Sequence, residues 1–168
     1  ISAYSGSIPF RGPKSMLTSA AYVDALGKAY EISKKDLQGK KSWSSLLTPA
    51  IKLAKDGFPV TESEVFWFNF RLKEMGSLPG VESGYLINGK VPTVGEIFKQ
   101  PKLAKTIEMI AERGHRDFYE GKLAAILAKG LKDAGSPLTA RDLALTQAQI
   151  EPPLSVAYRG GTLLGNQP

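Results

Sequence analysis

Serines and threonines that could act as nucleophiles are plentiful in this 168-residue sequence, but no pattern pairs one of them with a general base. The single histidine, His115, stands in the junction Gly114-His115-Arg116 between two predicted helices. A surface or helix-capping role is commoner for such a residue than general base catalysis. No cysteine is present, which excludes a thiolate nucleophile, a zinc–thiolate site and a disulfide framework. We therefore expect no metal ion and no cofactor.

The remaining patterns also predict no catalytic residue. No serine stands in a G-x-S-x-G nucleophile elbow. The glycines Gly160, Gly161 and Gly165 are not followed by Lys-Ser/Thr, so they form no phosphate loop. The pairs Glu62/Glu64 and Glu108/Glu112 are spaced like carboxylates on a helix surface. Catalytic residues are thus predicted to be absent, and substrate-binding residues stay unknown.

Composition limits the classes of partner. The net charge is +6, and its densest cluster is Lys34, Lys35, Lys40 and Lys41. The neighbouring Asp36 favours a solvated helical face over a nucleic-acid patch. No apolar run approaches the roughly 18 residues that a membrane span needs. The sequence begins at Ile1 without an initiator Met, so both a cytoplasmic location and a secreted or periplasmic one after signal-peptide removal stay open.

The segment from Pro101 to Leu145 predicts two helices and the start of a third. Pro101 suits the first helical position, and Gly114 suits a left-handed stop. Asp117 and Glu120 predict a capping box at the start of the second helix, which Gly135 ends. Thr139 and Asp142 begin the third. The predicted buried stripe of the second helix is Leu123, Ile126, Leu127, Leu131 and Ala134.

Upstream, the pattern predicts a helix over Thr18–Glu31 despite Gly27, and a second helical piece over Lys34–Gln38. The residues expected to face inward are Ala21, Ala25 and Leu26. Pro49 is expected to divide the next segment into a turn over Trp43–Leu47 and a helix that Pro49 opens and Gly57 stops.

A capping box of Thr61 and Glu64 predicts a helix that extends to about Met75. Apolar side chains fall on nearly every side of it, which is typical of a buried helix. A place in the core is favoured over a ligand-stacking site. In a chain this short, we expect something outside the chain to help bury the helix. The side chains concerned are Val65, Phe66, Trp67, Phe68, Phe70 and Leu72.

The other segments are short. Residues 76–92 are turn-rich around Asn88-Gly89, and a short helix is predicted near Val94–Lys99. Leu154–Tyr158 and Thr162–Leu164 predict a β-hairpin, and Ile8–Phe10 a short extended piece.

Six stretches occur in the order in which one known family carries them. They are Ser42–Val60, Gln100–Ala104, Ile107–Gly114, Asp117–Ala124, Leu138–Ala144 and Pro153–Gly160. Together they resemble the large-subunit region of gamma-glutamyltranspeptidases and their cephalosporin-acylase-like relatives. The resemblance covers residues 42–168, whereas residues 1–41 match loosely, around Ile8–Ser15.

The resemblance implies an N-terminal-nucleophile hydrolase with a stacked αββα fold. This chain would be a mainly α piece of it with a C-terminal β-hairpin. The implied divisions of the single piece 1–168 are loop and helix over 1–41, helices over 42–145, and a hairpin over 146–168 that enters the central sheet.

The resemblance also implies the partners. They are the remaining segments of the same precursor, or a small subunit that opens with a threonine nucleophile, and a γ-glutamyl compound such as glutathione as substrate. Nucleic acid and membrane are not implied. The chain is expected to stop before that threonine and to begin after the family's substrate-clamping arginine.

Two alternatives stay open. If Ser5-Gly6-Ser7 ends the arginine segment, Ser7 stands in the arginine's place, which favours an acylase-like or degenerate relative. Arg11 lies in a Pro-Gly loop, and we do not expect it to replace the substrate-clamping arginine. The other alternative is a non-catalytic helical interaction module with an acidic partner.

Overall fold

Helices make up most of the backbone in the computed structural model, which describes residues 20–165. The helices within that range are α1 (Tyr22–Asp36), α2 (Trp43–Asp56), α3 (Glu62–Met75), α4 (Val81–Tyr85), α5 (Pro101–Arg113), α6 (Asp117–Glu120), α7 (Lys122–Asp133) and α8 (Ala140–Leu145). The strands are β1 (Phe58–Pro59), β2 (Ile97–Phe98), β3 (Leu154–Tyr158) and β4 (Gly161–Gly165). The predicted class, mainly α with a C-terminal β-hairpin, is confirmed. The predicted extended piece at Ile8–Phe10 lies outside the described residues.

Helices α2 and α5 pack against each other along their lengths. Small buried side chains, Ala54 on α2 and Ala104 on α5, let the two backbones approach closely. The indole of Trp43 adds a hydrogen bond from Nε1 to the carbonyl oxygen of Ile110, 2.9 Å away. Helix α5 begins at Pro101 and ends before Gly114, at φ +86°, as the sequence predicts.

The prediction that Pro49 divides the second segment is wrong, because α2 runs through Pro49 without a break. Ser42 caps the helix by accepting a hydrogen bond from the Ser45 backbone N–H. Pro49 itself is exposed, whereas Leu47, Ile51 and Ala54 form the buried or half-buried stripe. Packing of that stripe offsets the backbone hydrogen bond that proline cannot donate.

Helix α1 is one helix to Asp36, not the two pieces predicted, and its inward face differs from the expected one. Asp24 and Gly27 are its buried residues, while Ala25 and Leu26 are exposed. Apolar periodicity missed this face because a paired carboxylate and a glycine occupy it.

Residues 94–99 do not form the predicted helix, because Gly95 takes φ +82° and the chain turns into strand β2. Strand β2 pairs antiparallel with β1, with Phe58 opposite Phe98. Their rings meet edge to face at a centroid distance of 5.9 Å, which stabilises this two-residue ladder.

Asp117 does cap the predicted second helix, but that helix begins later than expected, at Lys122. The predicted capping box with Glu120 does not form, because the Glu120 N–H donates to the carbonyl oxygen of Arg116. The chain breaks at Gly121, and the Asp117 carboxylate accepts hydrogen bonds from the backbone N–H groups of Lys122 and Leu123 at the start of α7. On α7, Leu123 is buried as predicted, but Ile126 is exposed. The capping box of α3 is confirmed, and so is the start of α8 at Thr139, where Thr139 and Asp142 also form a capping box that the sequence analysis did not predict.

Candidate functional site

The lone histidine is part of the packing between helices, and not the surface or capping residue that was expected. Its side chain is 18% exposed, and its ring lies edge-on to Trp43 at 6.0 Å between centroids. Its Nε2 atom lies 3.5 Å from Oδ1 of Asp24. No hydroxyl group within residues 20–165 is hydrogen-bonded to His115, so this part of the chain shows no pair of a hydroxyl nucleophile and a histidine base.

Asp24 is the centre of the densest polar network among the described residues, and its side chain is 1% exposed. Oδ1 accepts a hydrogen bond from Nη1 of Arg116 at 3.0 Å. Oδ2 accepts one from the backbone N–H of Ala148 at 2.9 Å. Nζ of Lys28 lies 3.9 Å from Oδ2, one helical turn along α1. A buried carboxylate is thus paired and hydrogen-bonded on both oxygens.

The charge of Asp24 is stabilised despite its burial. Burial alone favours the neutral acid, but the hydrogen bonds from Ala148 and Arg116 and the charges of Arg116 and Lys28 outweigh it. The pKa of Asp24 therefore lies below its ordinary value. The carboxylate is held ionised, so it is a structural anion rather than a proton donor near neutral pH.

Arg116 connects this carboxylate to the chain that leaves α8. Its Nη1 also donates to the carbonyl oxygen of Thr146 at 3.0 Å, and its Nη2 donates to that of Ala144 at 3.3 Å. Nη2 makes a further ion pair with Glu120. Burial would lower the pKa of Arg116, but the bonds to Asp24 and Glu120 raise it above its ordinary value.

The same network holds the start of α1. The hydroxyl of Tyr119, a residue that is 1% exposed, donates to the carbonyl oxygen of Ala20 at 2.6 Å. It accepts from the backbone N–H of Asp24 at 3.2 Å. Lys28 donates to the carbonyl oxygen of Ala148. The chain before α1 and the chain after α8 are therefore both fixed by the same set of hydrogen bonds and ion pairs. We call this set, made by Asp24, Lys28, Arg116 and Tyr119, the Asp24–Arg116 network.

The hairpin β3–β4 follows this network. Its register pairs Leu154 with Gly165 and Val156 with Leu163, and the turn at Arg159-Gly160 has φ values of +45° and +80°. Positive φ at both central residues is the type I′ geometry that suits a hairpin. Each of its residues is exposed within the described chain. The exposed apolar side chains are Leu154, Val156, Tyr158, Leu163 and Leu164.

Helix α3 also lacks cover, and the expectation that this chain's core would bury it is wrong. None of its residues is buried, and Phe66, Trp67 and Phe70 are 61%, 50% and 50% exposed. The predicted need for something outside the chain is consistent with that exposure. Its other side borders a groove of about 260 Å³ against α4, lined by Trp67, Phe68, Arg71, Leu72, Met75, Val81, Tyr85 and Leu86.

Two classes of site find no support in residues 20–165. No three histidine, aspartate or glutamate side chains in that range are grouped as metal ligands would be. No helix there is long and apolar enough to cross a membrane.

Sequence reasoning named no site residue, and it missed Asp24 and Arg116. One signal was available: Asp24 and Gly27 stand three and six residues after Ala21, so they share a helix face. A long-range network of this kind needs the tertiary structure, because Arg116 is 92 residues away from Asp24 in sequence.

Comparison with known proteins identifies the setting of these features. The family model described as gamma-glutamyltranspeptidase matches residues 23–168. The chain is 39% identical to the oxamate amidohydrolase proenzyme of Klebsiella pneumoniae over 97% of its own length and 31% of the relative's. It is 33% identical to the glutathione hydrolase-like YwrD proenzyme of Bacillus subtilis, over 92% of this chain and 28% of that protein.

A solved structure has the same fold. The gamma-glutamyltranspeptidase from Pseudomonas nitroreducens complexed with L-DON superposes with a TM-score of 0.73 at 33% identity, covering 85% of this chain and 41% of that one. The chain spans about a third of the length of the curated relatives it matches.

Proposed function

This chain belongs to the gamma-glutamyltranspeptidase family, and from that membership we propose that it is a large-subunit segment of an N-terminal-nucleophile hydrolase. The whole enzyme would transfer or hydrolyse the γ-glutamyl group of glutathione-like compounds, with a threonine nucleophile outside these residues. The observation that carries the proposal is the family match over residues 23–168, nearly all of the described chain. The word proenzyme in the names of both relatives supports a precursor that is cut.

The proposed chemistry is acyl transfer through a threonine ester. Threonine Oγ attacks the γ-carbonyl carbon and its own α-amine takes the hydroxyl proton, which then passes to the leaving amine as the amide bond breaks. Water, or the amine of an acceptor amino acid or peptide, next attacks the ester and restores the free threonine. The role left to this chain is to support the site, which agrees with the lack of a hydroxyl group bonded to His115 in residues 20–165.

The hairpin is the proposed connection between this chain and the catalytic part. Strands β3 and β4 are exposed on both faces and carry apolar side chains on both, such as Val156 on one and Leu164 on the other. A strand pair of that composition needs cover on both sides, as a strand inside a layered fold has. We propose that residues 146–168 enter the central sheet of the αββα fold.

A second candidate function is hydrolysis of a small amide that is not a γ-glutamyl compound. The 39% identity to an oxamate amidohydrolase proenzyme favours it. Ser7, where a substrate-clamping arginine would be expected if Ser5-Gly6-Ser7 ends that segment, agrees with it.

The test is purification of the complete precursor, with intact mass and N-terminal sequencing of every polypeptide obtained. We expect a second polypeptide that begins with threonine, and release of anilide from a γ-glutamyl anilide. Replacement of that threonine by alanine should abolish both cleavage and turnover. Ammonia release from oxamate without anilide release would support the second candidate. An uncut polypeptide inactive on both substrates would contradict both and favour the helical interaction module.

A further inference from the structure

We propose that Asp24 and Arg116 are positioning residues of this enzyme, which fix where the chain leaves the helices and thereby place the hairpin β3–β4. The inference rests on the proposed function for its catalytic consequence, but not for its structural part. Asp24 is buried, charged and remote in sequence from everything it binds except Lys28. Burying a carboxylate costs free energy unless its oxygens are paired and hydrogen-bonded. The groups that bind Asp24 are therefore the ones whose positions it fixes.

The backbone groups that the side chains of Asp24 and Arg116 bind lie on residues 144–148, which we call the exit segment. Asp24 accepts from the N–H of Ala148, and Arg116 donates to the carbonyl oxygens of Thr146 and Ala144. These are backbone groups at and just after the end of α8, where no helix or ladder satisfies them. The direction of the backbone is thereby fixed at every second residue from Ala144 to Ala148. Ala148 lies six residues before β3 begins at Leu154.

The network fixes geometry and not charge alone. Arg116 presents a planar fork whose two terminal nitrogens contact four acceptors, on Asp24, Glu120, Ala144 and Thr146. A lysine ammonium would keep the positive charge but could not span these acceptors. His115 and Lys28 also face Asp24, so the carboxylate keeps cationic or polar neighbours on α1 and on the α5–α6 junction.

The first experiment is hydrogen exchange on the purified precursor and its Asp24→Asn and Arg116→Lys variants. In each variant the amides of residues 146–148 should exchange at least about tenfold faster, while those of α5 keep their rates. The matched control is Asp142→Asn, which also removes a bonded carboxylate near this end of the fold but does not touch the exit segment with its side chain. Unchanged exchange at Ala148 in both network variants would overturn the proposal.

The second experiment measures catalysis. We expect kcat, or the rate of precursor cleavage, to fall by on the order of 100-fold in Asp24→Asn and Arg116→Lys, with KM changing less, because a misplaced strand misorients reacting groups. Asp142→Asn should retain the wild-type rate. A folded Arg116→Lys variant with wild-type kcat would overturn the proposal, and so would a loss equal to that of the control.

The two proposals can fail separately. A wild-type precursor that is neither cut nor active contradicts the proposed function, while the exchange rates of residues 146–148 still test the positioning role. If Asp24→Asn does not fold, Arg116→Lys supplies both measurements, since it keeps the charge beside the buried carboxylate.

Discussion

Gly27 and Gly130 both lie inside helices, but a side chain packs directly against Gly27. A Cβ atom added at Gly27 would stand 2.1 Å from Cγ of His115, whereas one added at Gly130 would meet nothing within 4 Å. The His115 ring is held between Trp43 and Asp24, so it cannot turn away freely. Close approach, and not backbone freedom, thus explains the glycine in α1.

This contrast predicts opposite effects for the same substitution. Gly27→Ala should destabilise the chain by about 1–3 kcal/mol, because the core would be overpacked. Gly130→Ala should stabilise it by about 0.5–1 kcal/mol through helix propensity. Urea unfolding of the two variants and the wild type measures both values. A stabilised Gly27→Ala variant would show that His115 is not held where the structure places it.

Asp24 also predicts a pH dependence. The pKa of Asp24 in the folded state lies below the ordinary value of 3.8. The ionised carboxylate therefore contributes fully to the free energy of unfolding above the unfolded-state pKa, and this contribution is lost as the pH falls through the folded-state pKa. At pH 6, Asp24→Asn should lower the free energy of unfolding by about 3 kcal/mol. By pH 3 the difference from the wild type should be smaller by on the order of 1 kcal/mol. If the difference in free energy of unfolding between wild type and Asp24→Asn grew as the pH fell, the pKa of Asp24 would not be lowered in the folded state.

At the scale of elements, the sequence predicts well where local chemistry decides. The capping box at Thr61, the helix start at Thr139, the helix stop at Gly114 and the hairpin of β3 and β4 depend on neighbouring residues, and all are confirmed. The failures depend on contacts that are distant in sequence. Strand β2 forms because β1, about 40 residues earlier, supplies its partner.

Pro49 shows how packing can override a local rule. Proline inside a helix costs about 3 kcal/mol, yet α2 continues because it packs along α5. Pro49→Ala should therefore stabilise the chain, by up to about 2 kcal/mol once the freer unfolded chain is allowed for. The measurement is urea unfolding, with the exposed Pro137→Ala outside the helices as the control, which should not gain stability. Loss of stability in Pro49→Ala would mean that a kink at this residue is needed for packing on α5.

At the scale of the whole molecule, the exposed apolar surface is the main feature to explain. Helix α3 and the hairpin β3–β4 both leave large apolar side chains in solvent, although the described chain has a buried centre around Tyr119, Leu123 and Ile110. Patches of this kind usually mark contact with another chain or segment. The chain spans about a third of its curated relatives, which agrees with cover from the rest of a precursor.

This surface predicts dye binding that depends on assembly. The 168-residue chain alone should strongly enhance the fluorescence of a hydrophobic dye, and the complete precursor should not, because the surface is then covered. Replacing Phe66 and Phe70 with serine should remove part of the enhancement, and replacing Val156 and Leu163 with threonine another part, since the two patches are separate in sequence. Lys52→Ser, on the exposed side of α2, is the matched control and should leave the signal unchanged. A compact, dye-silent monomer of this chain would contradict the view that it is one segment of a larger fold.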